Sequence, residues 1–336
     1  MLDIYHQHGY NFQKNRSRKG YMKKVVQLLF MIIIFILAGC SPKPAEKTPL
    51  KVAVLPVLDS LPLYVAEKQG YFEQAGLQVE LIPVGSAPER DQLMQSEQID
   101  GMLNELVTTL YYNRDGSKVK IVRFARIATA EYPVFRILAA KDSGIISLEG
   151  LKGVEIGISQ GTVIEYVTDR VLTNAGFTLE EIKKIAVPKI ADRTALLESG
   201  ALKAAVLPDP LASLLMQKGA VLIIDDTTLP EVSNSVYAFS VTTLANRPED
   251  VKAFLYAVEK AVQDINADKI KYKDLMVELK LVPPSVVGDY NIPTFPSASV
   301  PTEAQFIDAL NWALKGGLVK AEQTYADNVN SSFLPK

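Results

Sequence analysis

Histidine and cysteine are almost missing from this chain of 336 residues. The two histidines, His6 and His8, lie near the start, and Cys40 is the single cysteine. One cysteine cannot form an internal disulfide. Beyond Cys40 there is neither imidazole nor thiol. That removes Ser-His-Asp and Cys-His catalysis, and every metal site ligated by histidine or cysteine, from the stretch long enough to fold. Carboxylate or lysine chemistry stays open, but no motif points to it, and no phosphate-binding P-loop is present. Positive charge is scarce too. The chain holds 36 basic and 38 acidic residues; the first 40 residues hold six and one, which leaves 30 against 37. A mild acidic excess without basic stripes argues against nucleic acid. Tandem repeats and low-complexity segments are also absent.

The one long apolar run comes early. Met1 to Gly20 is polar; then follow Met22-Lys23-Lys24, a near-continuous apolar run from Val25 to Ala38, and Leu37-Ala38-Gly39-Cys40. A basic start, a short apolar stretch and small residues before a cut make a secretory signal. The run is short for a membrane span, which takes roughly 20 residues; an uncleaved anchor helix is the alternative. Leu-Ala-Gly-Cys resembles the bacterial lipobox, whose cysteine is acylated and becomes the mature N-terminus. The resemblance implies a lipoprotein leader over 22–39, lipid on Cys40, a true start at Met22 and an extension over 1–21. Ser41 to Pro49, rich in proline and charge, reads as a tether over 40–49. Two lipid attachments exceed what stable anchoring needs. The expected location is the extracytoplasmic face of the cell membrane, in a Gram-positive type of bacterium.

From Leu50 the chain reads as strand and helix in turn. Lys51-Val52-Ala53-Val54-Leu55 is a β-branched run, broken by Pro56, Asp59 and Ser60. Pro62 suits a first helical position, Leu63, Ala66 and Phe72 fall on roughly one helical face, and Gly70 and Gly76 punctuate the end. Val79 to Val84 is the next strand. The phrase P-L-Y-V-A-E-K-Q-G-Y-F-E-Q-A-G-L-Q-V-E-L, from Pro62 to Leu81, resembles the opening of the solute-binding proteins of ABC importers. The branch it is most similar to takes up sulfonates, taurine, nitrate or thiamine-type pyrimidines. A second phrase, from Ile146 to Thr162, I-S-L-E-G-L-K-G-V-E-I-G-I-S-Q-G-T, resembles that family's entry into its second lobe. The likeness runs, more diffusely, from about Leu50 to about Leu318.

Further strands are expected at Ile99–Leu103, Val119–Ile127, Val134–Ala140, Val154–Ile158, Ile185–Val187, Ala204–Leu207, Val221–Ile224 and Val236–Thr242. Helices are expected at Ala87–Ser96, Leu106–Tyr112, Val163–Ala175, Asp192–Ser199 and Pro210–Lys218. Asn246 to Glu249 fits a capping box. The apolar positions Val251, Phe254, Leu255, Val258, Val262 and Ile265 then mark a long amphipathic helix. A Pro-rich stretch from Pro283 to Pro301 precedes a helix around Phe306–Leu314. Alternation with two crossings gives an α/β chain of two hinged lobes. With the resemblance, it implies a periplasmic-binding-protein fold of type II, each lobe a mostly parallel sheet flanked by helices. The expected division is 50–140 for the first lobe, 141–235 for the second, and 236–336 for the return into the first.

Ligands of open α/β sheets sit beyond the carboxyl ends of strands. That rule selects Asp59, Ser60 and Leu61 after the first strand, Asn104 and Glu105 after the third, and Asp209 between two prolines. It also selects Ser159, Gln160, Gly161 and Thr162, a turn where glycine lets backbone approach a ligand and a helix start offers free N–H groups. Tyr237 is an aromatic near a strand end that could stack on a flat ligand. Each has a plainer reading. Ser159–Thr162 could be a simple cap, Glu105 a helix-start acid, Asp209 the cap of the helix from Pro210, and Tyr237 a packing residue.

The resemblance implies a lipid-anchored receptor, acting singly, that closes on a small solute. It would hand that solute to an ABC permease whose partner subunits hydrolyse ATP. No cofactor and no catalysis are expected, although a pyrimidine-synthesising branch of the family works through histidine. A sensor domain feeding a signalling partner would look the same in sequence. The expected loops carry Asp59, Glu89, Glu105, Glu131 and Asp209 against Arg90, which leans toward an amine or a nitrogen heterocycle. A sulfonate-, taurine- or nitrate-type anion is the alternative.

Overall fold

Runs of four to nine residues, most of them apolar, set the sheets of this protein. The computed structural model describes residues 48–335, which fall in a single unit. The expected leader, the lipid-bearing Cys40 and most of the tether lie outside the described residues. Within them, β1 (Leu50–Val54), β2 (Val79–Pro83), β3 (Gly101–Asn104), β4 (Val119–Ile127) and β10 (Asn234–Ser240) form one sheet in the order β2-β1-β3-β10-β4. Strands β5 (Phe135–Ala139), β6 (Glu155–Ile158), β7 (Lys183–Ala186), β8 (Ala204–Pro208) and β9 (Val221–Asp225) form the other, in the order β7-β6-β8-β5-β9. Each sheet is mixed in the same way. The fourth strand of each, β10 or β5, runs antiparallel to both neighbours, and it is the strand that follows a crossing.

Helices of seven residues or more flank the sheets: α1 (Leu61–Lys68), α2 (Ala87–Gln95), α3 (Leu106–Tyr112), α4 (Val163–Asn174), α5 (Ile190–Glu198), α6 (Leu211–Gln217), α7 (Pro248–Ala267) and α8 (Glu303–Lys315). The first helical stretch breaks where only glycine is at ease. Gly70 takes φ +68°, and a separate short turn, Tyr71–Gln74, follows. That break sends Phe72 down to stack on Phe254 of α7, with ring centroids 5.4 Å apart. All six apolar positions read from the sequence of α7 are buried. Its expected capping box at Asn246–Glu249 is not formed. Asn246 ends the preceding short helix and Arg247 takes the cap position with no side-chain cap bond. The Arg247 guanidinium instead bonds Asp250 at 2.8 Å, so the helix start is held by charge rather than by a hydroxyl. A capping box does form at Thr302 and Gln305, at the start of α8.

The chain crosses between sheets at 128–134 and again at 226–233. One carboxylate ties the crossings together. Asp226 accepts from Val134 N at 3.0 Å and Phe135 N at 2.8 Å on the outgoing strand, and from the Ser233 hydroxyl on the returning one. It is 1 % exposed, and burial outweighs those donors, so its carboxyl is pushed up to about 6. An unfolded aspartate titrates near about 3.9. A raised carboxyl pKa means that the fold holds the proton more tightly than the unfolded chain does. Its stabilisation is complete below about pH 4 and lost as pH rises through about 6. The free energy of urea unfolding should therefore fall by about 2–3 kcal/mol from pH 4 to pH 7 through this group. Asp226→Asn, which cannot titrate, should lack that part of the fall. Equal slopes in the two proteins would refute the assignment.

Candidate ligand-binding site

The strand-end loops of the two sheets meet around a cavity of about 70 Å³. At roughly 10–15 Å³ per water, it holds on the order of five waters, or a small organic molecule. From the first sheet come Leu55, Val57 and Asp59 after β1, Ala87 and Arg90 of α2, Leu103, Asn104 and Glu105 at the end of β3, and Ser235 of β10. From the second come Val134 and Phe135 at the start of β5, Ser159 and Thr162 after β6, Pro188, Ile190 and Arg193 after β7, and Pro208. Most of the wall is apolar. The polar groups are few and nearly all buried.

Five of the residues selected from the sequence line this cavity: Asp59, Asn104, Glu105, Ser159 and Thr162. The others are placed elsewhere. Ser60 donates to Leu55 O at 2.7 Å and Leu61 is fully buried in the core. Gln160 is exposed. Gly161 takes φ +71°, which explains the glycine by backbone conformation, and a Cβ there would meet only the Leu318 side chain. Its N–H is already given to Glu165 at 2.8 Å. Tyr237 is fully buried, packs edge-on against Phe254 and donates a 3.4 Å bond to Asp59 O. Asp209 does not cap α6, whose cap residue is Pro210; its carboxylate takes the Ser213 hydroxyl at 2.6 Å and Arg136 at 2.9 Å.

The acids near the cavity are already occupied. Asp59 is paired with Arg126 at 3.2 Å and accepts the Ser235 hydroxyl at 2.6 Å. Glu105 caps α3 through Thr108 N at 2.8 Å and lies 4.0 Å from Arg90. Burial raises its carboxyl above the usual range, against the pull of Arg90 and Thr108. Glu89 turns back to Gly85 N. The sequence count of acids against Arg90 therefore does not describe the charge a ligand meets.

Arg193 was not among the residues selected from the sequence, and it dominates the site. It lies in the first turn of α5 and is 1 % exposed. Carbonyls hold it: Nε donates to Val206 O at 2.7 Å, and Nη1 to Val187 O at 2.6 Å and Pro188 O at 3.3 Å. Among the described residues no carboxylate lies within 4.0 Å of it. With burial uncompensated, its pKa is pulled down to about 10, so it remains a cation at neutral pH. Nη2 makes no hydrogen bond to the protein. The signal in the sequence was positional: Arg193 sits one turn beyond the end of β7, inside the strand-end rule.

Three buried polar atoms of the wall lack a hydrogen-bond partner: Arg90 Nη2, Asn104 Oδ1 and Ser159 Oγ. Arg90 Nη2 faces Asp91 at 2.8 Å as an ion pair, yet poorly aligned for a hydrogen bond. The Asn104 amide is fixed in orientation. Thr109 gives its hydroxyl proton to Glu105 O at 2.9 Å, so it must accept from Asn104 Nδ2 at 3.0 Å, which leaves Oδ1 free. Helix starts add a positive field, since α2, α3, α4 and α5 all begin at the wall, and α5 has no side-chain cap. Buried polar groups left unpaired are rare and ask for a partner.

The profile of the family described as "NMT1/THI5 like" matches residues 58–269, most of both sheets. The chain belongs to this family. Its fold is the two-lobed α/β fold of periplasmic binding proteins. A Bacillus subtilis (strain 168) protein named "Putative aliphatic sulfonates-binding protein" is 24% identical over 322 residues, covering 91% of this chain and 89% of its own. The structure of the alkanesulfonate-binding protein SsuA from Xanthomonas axonopodis pv. citri, bound to MOPS, superposes with a TM-score of 0.72 at 19% identity, covering 85% of this chain and 99% of its own. The desulfurization enzyme DSZB superposes as well, with a TM-score of 0.63 at 15% identity, covering 85% of this chain and 97% of its own. The fold thus carries both binders and an enzyme, and the side chains of the site must decide between them.

Ser159 gives a clean test of the cavity as the ligand site. Its hydroxyl has no hydrogen-bond partner in the protein, so Ser159→Ala should leave unfolding free energy within about 0.5 kcal/mol. If the ligand fills the cavity, the same change should weaken ligand binding by about tenfold. A calorimetric titration that finds affinity unchanged in a folded Ser159→Ala protein would move the site elsewhere.

Proposed function

We propose that this member of the NMT1/THI5-like family is the solute receptor of an ABC importer for a small organic anion, of the sulfonate type. The observation that carries the reading is Arg193, a buried guanidinium that lines the cavity, has no carboxylate partner and leaves one fork nitrogen without a hydrogen bond. An unpaired buried cation is costly unless an anion completes it. Arg193 and the uncapped start of α5 would take the acid group. Ser159 Oγ would add a donor. Asn104 Oδ1 asks for a hydrogen on the ligand, which fits an amine or hydroxyl at the far end of a short chain. Phe135, Val57 and Ile190 would pack on that chain. Nothing in the cavity presents a positioned nucleophile, and no group of three or more potential metal ligands occurs among the described residues. Capture and release, rather than catalysis, fits such a wall.

Binding would bring the two lobes closer, and the loaded shape would be the one a permease accepts. The leader and Leu37-Ala38-Gly39-Cys40 support a receptor held by lipid at the extracytoplasmic face of the membrane. No described helix is long and apolar enough to cross a membrane.

A thermal-shift panel separates this reading from the heterocycle reading. Short alkanesulfonates, and above all amino- or hydroxy-alkanesulfonates, should raise the melting temperature of the wild-type protein. Arg193→Lys, which keeps the charge but loses the planar fork, should cost about tenfold in affinity. A rise with pyrimidines or simple amines and none with sulfonates would overturn the proposal. Anchoring is checked separately: Cys40→Ala should leave a protein that labelled palmitate does not mark. Persistent label would place the lipid elsewhere.

A further inference from the structure

A second, larger cavity of about 490 Å³ lies beside the first. It is bounded by the outgoing crossing, by α6 of the second sheet, and by the segment around Tyr290. The wall between the two cavities is an ion pair, since Asp59 lines the small one and Arg126 lines the large one. The volume lies in the range of ordinary small-molecule sites.

Three observations describe what would fit there. First, two buried N–H groups make no hydrogen bond. Arg126 is 2 % exposed and uses Nη1 on Asp59 and Asp209 O and Nη2 on Pro133 O, but its Nε–H has no acceptor. Arg136 binds Asp209 and Ser213 through Nη1, and its Nε lies 3.7 Å from the Asp225 carboxylate, an ion pair too long for a hydrogen bond. Second, two exposed acids of the lining, Glu131 and Asp289, have no cation within 4.0 Å among the described residues. Third, the cavity carries two aromatic rings, Tyr132 and Tyr290. An ammonium already approaches one of them, for Lys269 Nζ lies 5.8 Å from the centroid of Tyr132. Orphan N–H groups want an acceptor, free carboxylates want a cation, and tyrosine faces want a flat body or an ammonium.

We propose that this cavity is a second binding site, for a zwitterion with a flat apolar body, of which a free aromatic amino acid is the simplest. The ligand carboxylate accepts from Arg126 Nε and Arg136 Nε. Its ammonium lies toward Asp289 and Glu131, and its ring lies against Tyr132 and Tyr290. A ligand seated here touches the crossing, α6 and the segment at Tyr290 together, so it would brace both sheets. The site does not depend on what fills the small cavity.

The test is calorimetric titration of the full-length chain with L-phenylalanine, 2-phenylethylamine and 3-phenylpropanoate. L-phenylalanine should bind, and each single-charge analogue should bind at least about tenfold more weakly. Asp289→Asn, an exposed rim change that leaves both cores intact, should weaken L-phenylalanine by about tenfold and leave alkanesulfonate affinity unchanged. Arg193→Lys should do the reverse. The proposal is overturned if L-phenylalanine does not bind, if it binds no better than the two analogues, or if Asp289→Asn leaves it unchanged. Displacement of L-phenylalanine by an alkanesulfonate would place both in one cavity and also overturn it.

Discussion

The arrangement of both cavities depends on one buried guanidinium, Arg126. It lies next to the end of β4, where the chain leaves the first sheet, and it reaches three places at once. Its Nη1 meets Asp59 in the loop after β1 and the carbonyl of Asp209 after β8, while Nη2 meets the carbonyl of Pro133 in the crossing. The first sheet's leading loop, the crossing and the second sheet's ligand-side loop are thereby held on one planar group. Arginine suits this role because its fork presents donors in fixed directions and stays charged when buried. Such a pair is weak evidence of net stability, because desolvating both ions offsets their attraction. Its value is positional. Removing either partner would strand the other charge in a dry interior, at a cost of about 3–5 kcal/mol.

Fold was legible where local grammar and tertiary need agree. The run Lys51–Leu55 had to be a strand, being β-branched, five residues long and stopped by Pro56. The six apolar positions of α7 had to face a core, because no other face of that helix is apolar. The sequence reading failed where two local devices compete for one job. Asn246–Glu249 carries the letters of a capping box, yet Arg247 finds Asp250 and Asp100 on either side. Those ion pairs fix the turn, and the cap position passes to a residue without a capping side chain. Likewise Leu63, Ala66 and Phe72 read as one helical face, and Gly70, which the sequence marks as punctuation, takes the left-handed region and puts Phe72 in a separate turn.

The lining of the small cavity was legible in position and illegible in charge. The strand-end rule found Asp59, Asn104, Glu105, Ser159 and Thr162 because it depends only on where strands stop. Counting acids in the same loops misled, because a carboxylate's partner lies far off in sequence. Asp59 is neutralised from position 126 and Asp209 from position 136. Arg193 went unseen for the complementary reason. An arginine in a short amphipathic helix usually points to water, and the carbonyls that bury this one belong to β8 and to the loop before α5. Only the paired sheet brings them together.

The size of the ligand cavity is set by a core as much as by its own wall. Helix α8 belongs to the stretch of chain that returns to the first sheet, and it packs with Leu106 and Leu110 of α3 in one apolar cluster. The same cluster includes Ile164 and Val167 of α4, on the second sheet. Polar staples add to it: Trp312 donates to Asp169 at 3.0 Å, and Arg170 meets Asp308 at 2.8 Å. Two lobes joined only by their crossings could swing freely. Lobes that share a cluster cannot, because close-packed side chains separate only by opening voids or admitting water. Widening the cleft must then proceed by small sliding of α8 across α3 or α4, a shear rather than a free hinge. A solute larger than the cavity would have to drive that sliding from its own binding energy. In the proposed receptor, the limit on solute size would then come from the packing of Phe306, Ala309, Leu310 and Ala313 against both lobes, behind a wall that these four side chains do not line.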